Sequence, residues 1–157
     1  VITNRLYLLT CILLGLTSCL AQHAAPGYFV GTTPCDSLIR SHLQIPPAEL
    51  CEFIKWELTL ESDAQKFSLV ATYGESQPNT NGFKGGGKKI SYTGVYSIQP
   101  ATTGNNAFTY TLQPVGSASS IFLKELDRNI LHFTDGKFQL LVGNGGWGYV
   151  LNKTKKQ

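Results

Sequence analysis

From residue 55 onward the chain is written in short runs that alternate apolar and polar residues, with turn residues between them. Residues 55–61 (KWELTLE) place Trp56, Leu58 and Leu60 on one side and Lys55, Glu57 and Glu61 on the other. Residues 66–73 repeat the pattern with Phe67, Leu69, Ala71 and Tyr73, and residues 107–113 with Phe108, Tyr110 and Leu112. Between them, residues 90–98 carry Tyr92, Gly94, Tyr96 and Ile98, and the glycine marks a bend. Period-two alternation is what a strand shows when one face meets a core and the other meets water. Runs at 28–33, 119–126, 129–134, 138–142 and 147–152 raise the expected number of strands to eight or nine. The connectors after residue 55, such as 62–65 (SDAQ), 104–106 (GNN) and Asp135-Gly136, contain no helix that could cross between parallel strands. The fold class expected is therefore all-β, a small antiparallel meander closed into a β-barrel, with a strongly curled open sheet as the alternative.

One connector is unlike the others. Residues 74–89 (GESQPNTNGFKGGGKK) are long, polar and glycine-rich, which reads as a disordered hairpin tip. A strand follows it rather than a helix, so it lacks the helix start that a phosphate-cradling glycine loop uses. The length of 157 residues fits one domain, and the 16 Gly, 7 Tyr and 8 Phe suit strands and turns. A net charge of +3, with no basic stripe interleaved with aromatics, gives no footing for nucleic acid.

The beginning of the chain reads as an address. Arg5 precedes an apolar run at 6–16, too short for a helix that spans a bilayer and suited to the core of a signal peptide. The run ends in Leu16-Thr17-Ser18-Cys19, similar to a bacterial lipobox, in which cleavage before the cysteine is followed by its lipidation. The expectation is a lipoprotein signal peptide at 1–18, lipidated Cys19 with a tether to residue 27, a barrel domain at 28–152 and a basic tail at 153–157. Acyl chains at Cys19 would make the membrane a partner. Leu20, in place of an aspartate after the cysteine, implies the outer membrane if the cell is an enteric-type diderm, with the domain on the periplasmic face.

Cys35 and Cys51 are then left, with 15 residues between them. A pair in an exported domain suits a disulfide. The same cysteines with His42 form C-x6-H-x8-C, a thiolate and imidazole set that would suit copper(I) or zinc, so copper is a candidate cofactor. A redox-active pair is the third possibility. Between the cysteines, Leu38, Ile39, His42 and Leu43 fall at helical spacing ahead of Pro46-Pro47, which predicts a short helical insertion with Asp36 or Ser37 as N-cap.

Residues 29–36 (FVGTTPCD), Cys51 and the strand 55–60 (KWELTL) resemble the N-terminal domain of NlpE-type lipoproteins. That family carries G-x-x-P-C-x-x-C before an alternating strand, and here the second cysteine is displaced by residues 36–50. The segments 92–96 (YTGVY), Leu126-Asp127 and 149–152 (YVLN) extend the similarity over about residues 28–152. The resemblance implies a lipocalin-like barrel of about eight strands, a link to copper resistance and envelope stress, and a role for Cys35 and Cys51.

Three functions follow as expectations. The first is a lipid-anchored envelope protein whose cysteine segment responds to metal or redox stress. The second is a barrel holding a small apolar ligand, lined by Trp56, Phe67, Tyr92, Phe108 and Trp147. The third is a structural module that meets an envelope protein partner through the 74–89 loop. No enzyme is expected: His23 falls in the tether, His132 in a strand, and Asp127 and Asp135 read as turn residues.

Overall fold

The computed structural model describes residues 26–101, 107–116 and 119–156. The expected signal peptide, Cys19, most of the expected tether and the expected turn at 104–106 lie outside the described residues. Eight strands form in chain order: β1 Gly27–Pro34, β2 Phe53–Leu60, β3 Lys66–Gly74, β4 Lys88–Pro100, β5 Phe108–Pro114, β6 Ile121–Asp127, β7 Ile130–Thr134 and β8 Val150–Thr154. Each pairs antiparallel with the next, and β1 pairs with β8, so the meander closes into a barrel. Closure leaves no strand with an unpaired edge. One helix, α1 Ser37–Leu43, is inserted between β1 and β2.

The register puts the expected apolar faces inward. Trp56 stands opposite Gly31 and Ala71, Leu58 opposite Phe29 and Leu69, and Tyr96 opposite Leu112. Partners across an antiparallel pair share a face. The inward residues form one buried cluster that runs round the barrel from Phe29 through Leu69 and Tyr110 to Leu151. Two polar pairs sit within it. The Trp56 indole donates to Thr33 Oγ1 at 2.8 Å, and Tyr110 Oη donates to the carboxylate of buried Glu125 at 2.6 Å. Each is satisfied, so burial costs neither group an unmade bond.

Gly31 is needed where the barrel closes. A Cβ there would lie 2.2 Å from the carbonyl oxygen of Val150. The β1–β8 seam therefore admits only glycine at that position. Gly94 serves β4 and β5 in the same way, since a Cβ would stand 2.1 Å from the Gln113 carbonyl oxygen.

Four expectations need correction. Residues 138–142 form no strand; Leu140 makes an isolated bridge to Thr134. The Asp135 carboxylate accepts from the amides of Lys137 and Gln139, and Phe138 takes φ 59°, which turns the chain out of extended geometry. The last strand starts at Val150 and runs to Thr154, so Lys153 and Thr154 belong to β8 rather than to a frayed tail. Trp147 does not line the interior; it stacks on Phe53, whose side chain is on the outer face because Ile54 and Trp56 take the inner one. The 74–89 loop is folded rather than a disordered tip. Ser76 bridges to Phe83, a 3₁₀ turn covers Lys84–Gly86, and Phe83 is only 6% exposed.

Candidate functional site

Up-and-down topology sorts the connections to two ends. The chain enters at Gly27 and leaves after Thr154 at the lower end, which also carries the β2–β3, β4–β5 and β6–β7 turns. The upper end carries the long connections: 35–52, 75–87 and 135–149. The unusual residues of the sequence gather there.

α1 lies across the upper mouth as a plug. Ile39, Leu43 and Ile45 are buried in the same cluster as the barrel interior. Tyr92, an inward residue of β4, donates a hydrogen bond to the Leu43 carbonyl at 3.3 Å. The local sequence supplies both ends of the helix. Asp36 Oδ1 accepts from the Ile39 amide at 2.8 Å, and Gln44 in left-handed geometry returns its amide to the carbonyls of Arg40 and Ser41.

Cys35 and Cys51 are joined by a disulfide, with Cα atoms 5.8 Å apart, at the base of this plug. Arg40 organises the loop they close. Its Nη1 points to Cys35 Sγ at 3.8 Å, and its Nη2 donates to the carbonyls of Pro46 at 2.5 Å, Pro47 at 3.2 Å and Glu49 at 2.9 Å. A guanidinium offers several donors in a fixed fork, which suits a turn whose carbonyls converge. Both sulfurs are partly buried against the core.

Beside the staple, Tyr149 donates to Asp36 Oδ2, so one carboxylate caps α1 and holds the start of β8. Burial, then this hydrogen bond to the carboxylate, pushes the Tyr149 phenol above its ordinary value of 10.0. His42, on the plug, has an Nδ1 that is buried with no hydrogen-bond partner. Burial lowers its pKa from 6.5, against an opposing pull from Asp36.

The glycine-rich loop folds onto the staple from the other side. The Glu52 carboxylate accepts from Ser76 N at 3.1 Å and Ser76 Oγ at 2.5 Å, which lowers the carboxyl's pKa. Lys88 pairs with Glu49, and Lys84 with Glu75. Phe83 stacks on Phe53 with centroids 4.2 Å apart, and Trp147 covers the adjoining part of Phe53 at 5.2 Å. The 75–87 and 135–149 connections are thus joined on the outer wall through Phe53 of β2 by one run of aromatic rings. Between residues 48–50 and the glycine loop lies an open groove of about 420 Å³, floored by Tyr73 and edged by Leu50, which is 70% exposed.

Of the predicted site residues, the fold brings Cys35 and Cys51 into a covalent bond and leaves His42 on the plug. Those three do not fit copper in this state. Disulfide sulfurs offer no thiolate, and no group of three or more His, Cys, Asp or Glu could hold a metal ion among the described residues. Cys19 lies outside the described residues. The sequence reading missed Arg40, Phe83 and Tyr149. Only Phe83 left a signal, as the single aromatic in a polar loop. No family model, curated protein or solved structure matches the chain.

Proposed function

We propose that the chain is a lipid-anchored, non-enzymatic cell-envelope protein of the NlpE type, held to the membrane at Cys19, whose stapled upper end serves envelope-stress homeostasis. The observation that carries this reading is the polarity of the barrel. The chain enters at Gly27, at the lower end, while Cys35, Cys51 and the plug lie at the upper end. An anchor eight residues before Gly27 would tether the barrel by its lower end and leave the staple at the end away from the tether. There the staple meets the redox surroundings that decide whether its sulfurs are joined. Copper acts in this reading as a stress linked to the pathway, and no resident copper is needed while the disulfide stands.

Two further features favour a reporting role over a carrier role. The inward positions are filled by large side chains, Trp56, Tyr110 and Phe29 among them, as in a packed core. The open groove between the staple loop and the glycine loop leaves Leu50, the residue before Cys51, exposed as an apolar contact point. The test is complementation of a deletion strain with the wild-type gene, a Cys19→Ser form and a Cys35→Ser/Cys51→Ser form. Copper survival and an envelope-stress reporter are read in parallel. Loss of response in both variants is expected. A doubly substituted protein that restores both readouts fully would remove the stapled end from the function.

A further inference from the structure

The lower rim carries cations on one side. Arg128, Lys153, Lys155 and Lys156 are all exposed there, on or beside the β6–β7 turn and β8. Asp127 is the acid nearest to them in the chain, and it accepts from the Asn129 amide in that turn. Of the other acids near this end, Glu61 and Asp63 stand with Lys66 at the β2–β3 connection, and Glu57 accepts a hydrogen bond at 2.8 Å from Tyr28, whose ring Lys156 overlies. The cations are held at the point where the chain enters. Lys153 Nζ lies 5.8 Å from the Phe29 ring centroid and Lys156 Nζ 5.9 Å from that of Tyr28. The Lys153 side chain also runs across Gly27, where a Cβ would stand 2.5 Å from its Cε.

Only seven residues, 20–26, separate Cys19 from Gly27. Fully extended, those eight Cα steps reach about 28 Å, and as a flexible coil about 16 Å. If Cys19 is lipidated, a tether this short lets the rim come down onto the headgroups, within the Debye length of about 8–10 Å over which the field of an anionic surface acts. We infer that this rim is a second membrane contact, in which Arg128, Lys153, Lys155 and Lys156 meet anionic phospholipid headgroups and set the barrel upright on the bilayer. The inference rests on the lipid anchor for its place in the cell, but the contact itself is a property of the barrel. One acyl anchor leaves a domain free to tip; a charged rim beside the anchor fixes which end faces the bilayer.

The test uses residues 20–157, which contain every strand of the closed barrel and no lipid. Co-sedimentation is measured with phosphatidylcholine vesicles, with and without phosphatidylglycerol. Binding only to the anionic vesicles is expected, and its loss at about 1 M salt, where the Debye length falls to roughly 3 Å. Lys153→Gln/Lys155→Gln/Lys156→Gln should weaken binding at least tenfold, since each lysine near an anionic surface is worth about fivefold. Lys155→Gln/Lys156→Gln, outside the strands, should show part of that loss with an unchanged melting curve. Lys84→Gln/Lys88→Gln/Lys89→Gln at the upper end should bind as wild type. Equal partitioning onto both vesicle types would overturn the inference, as would a loss confined to the upper-end variant. A Cys19 found unlipidated in cells would instead overturn the proposed anchor and leave the vesicle result standing.

Discussion

Tyr149 donates a hydrogen bond to Asp36 across 113 positions of sequence, and it does so at the N-cap of the plug helix. One carboxylate thereby serves the Ile39 amide and the Tyr149 phenol at once. The start of β8, the disulfide segment and the upper mouth are coupled through it. The bond ties the plug to the residue that leads into the β1–β8 seam, which closes the barrel.

Asp36→Ala removes a helix cap and the partner of a buried phenol together. The expected loss is about 1–3 kcal/mol in urea denaturation. Asp36→Asn keeps an accepting oxygen for the Ile39 amide and should lose less. An Asp36→Ala protein as stable as wild type would show that the plug is held without its cap.

His42 sets an acid limit. Its folded-state pKa lies below the ordinary 6.5 because burial disfavours the charged ring. As pH falls through 6.5 the unfolded chain takes up the proton first, so stability declines from there until the folded value is passed. Above 6.5 the ring is neutral in both states and contributes no slope. Melting curves between neutral and acid pH should show the decline, and His42→Gln should flatten it.

Tyr149 sets the opposite limit. Its folded-state pKa lies above the ordinary 10.0, so the unfolded chain ionises first as pH rises past that value. Stability should fall there, and Tyr149→Phe should remove that part of the fall at the cost of the Asp36 hydrogen bond. The comparison is made by guanidinium denaturation at neutral and strongly alkaline pH.

Reduction of Cys35–Cys51 opens a loop with a sequence separation of 16. Chain entropy puts the staple at about 3 kcal/mol. The barrel should remain closed after reduction, because its strand pairing is continuous without the sulfurs. Denaturation midpoints with and without dithiothreitol measure the difference. Far-UV circular dichroism should stay β-rich in both.

Phe83→Ala breaks the aromatic run on the outer wall. A near-fully buried phenylalanine lost to alanine costs about 3 kcal/mol or more. Trp147→Ala, at a half-buried ring, should cost less. Limited proteolysis should cut the 75–87 connection faster in the Phe83 variant, since Phe83 anchors that loop on Phe53. Unchanged cleavage would show that the Lys84–Glu75 and Glu52–Ser76 contacts suffice.

The barrel was legible where local alternation and global burial agree. Trp56, Leu58 and Leu60 alternate because each faces the same core, so period two alone places them. The helix could be read from the spacing of Ile39 and Leu43, and its cap from Asp36. Its position over the mouth could not be read, because Tyr92 and Tyr149, which hold it, lie 49 and 113 residues from their partners. Trp147 was misplaced, and Phe83 missed, for a related reason. Both sit in glycine-rich connections, where no alternation says which way an aromatic ring turns, and both cover Phe53, an apolar residue on the outer phase of its own strand.

The most direct measurement is the intact mass of the protein extracted unreduced from the envelope of the native host. A chain starting at Cys19, heavier than its sequence by a diacylglyceryl group and two hydrogens lighter for the Cys35–Cys51 bond, is the expected result. A chain that begins elsewhere and carries no acyl mass, or one in which both cysteines are free thiols, would contradict an anchored barrel with a stapled end.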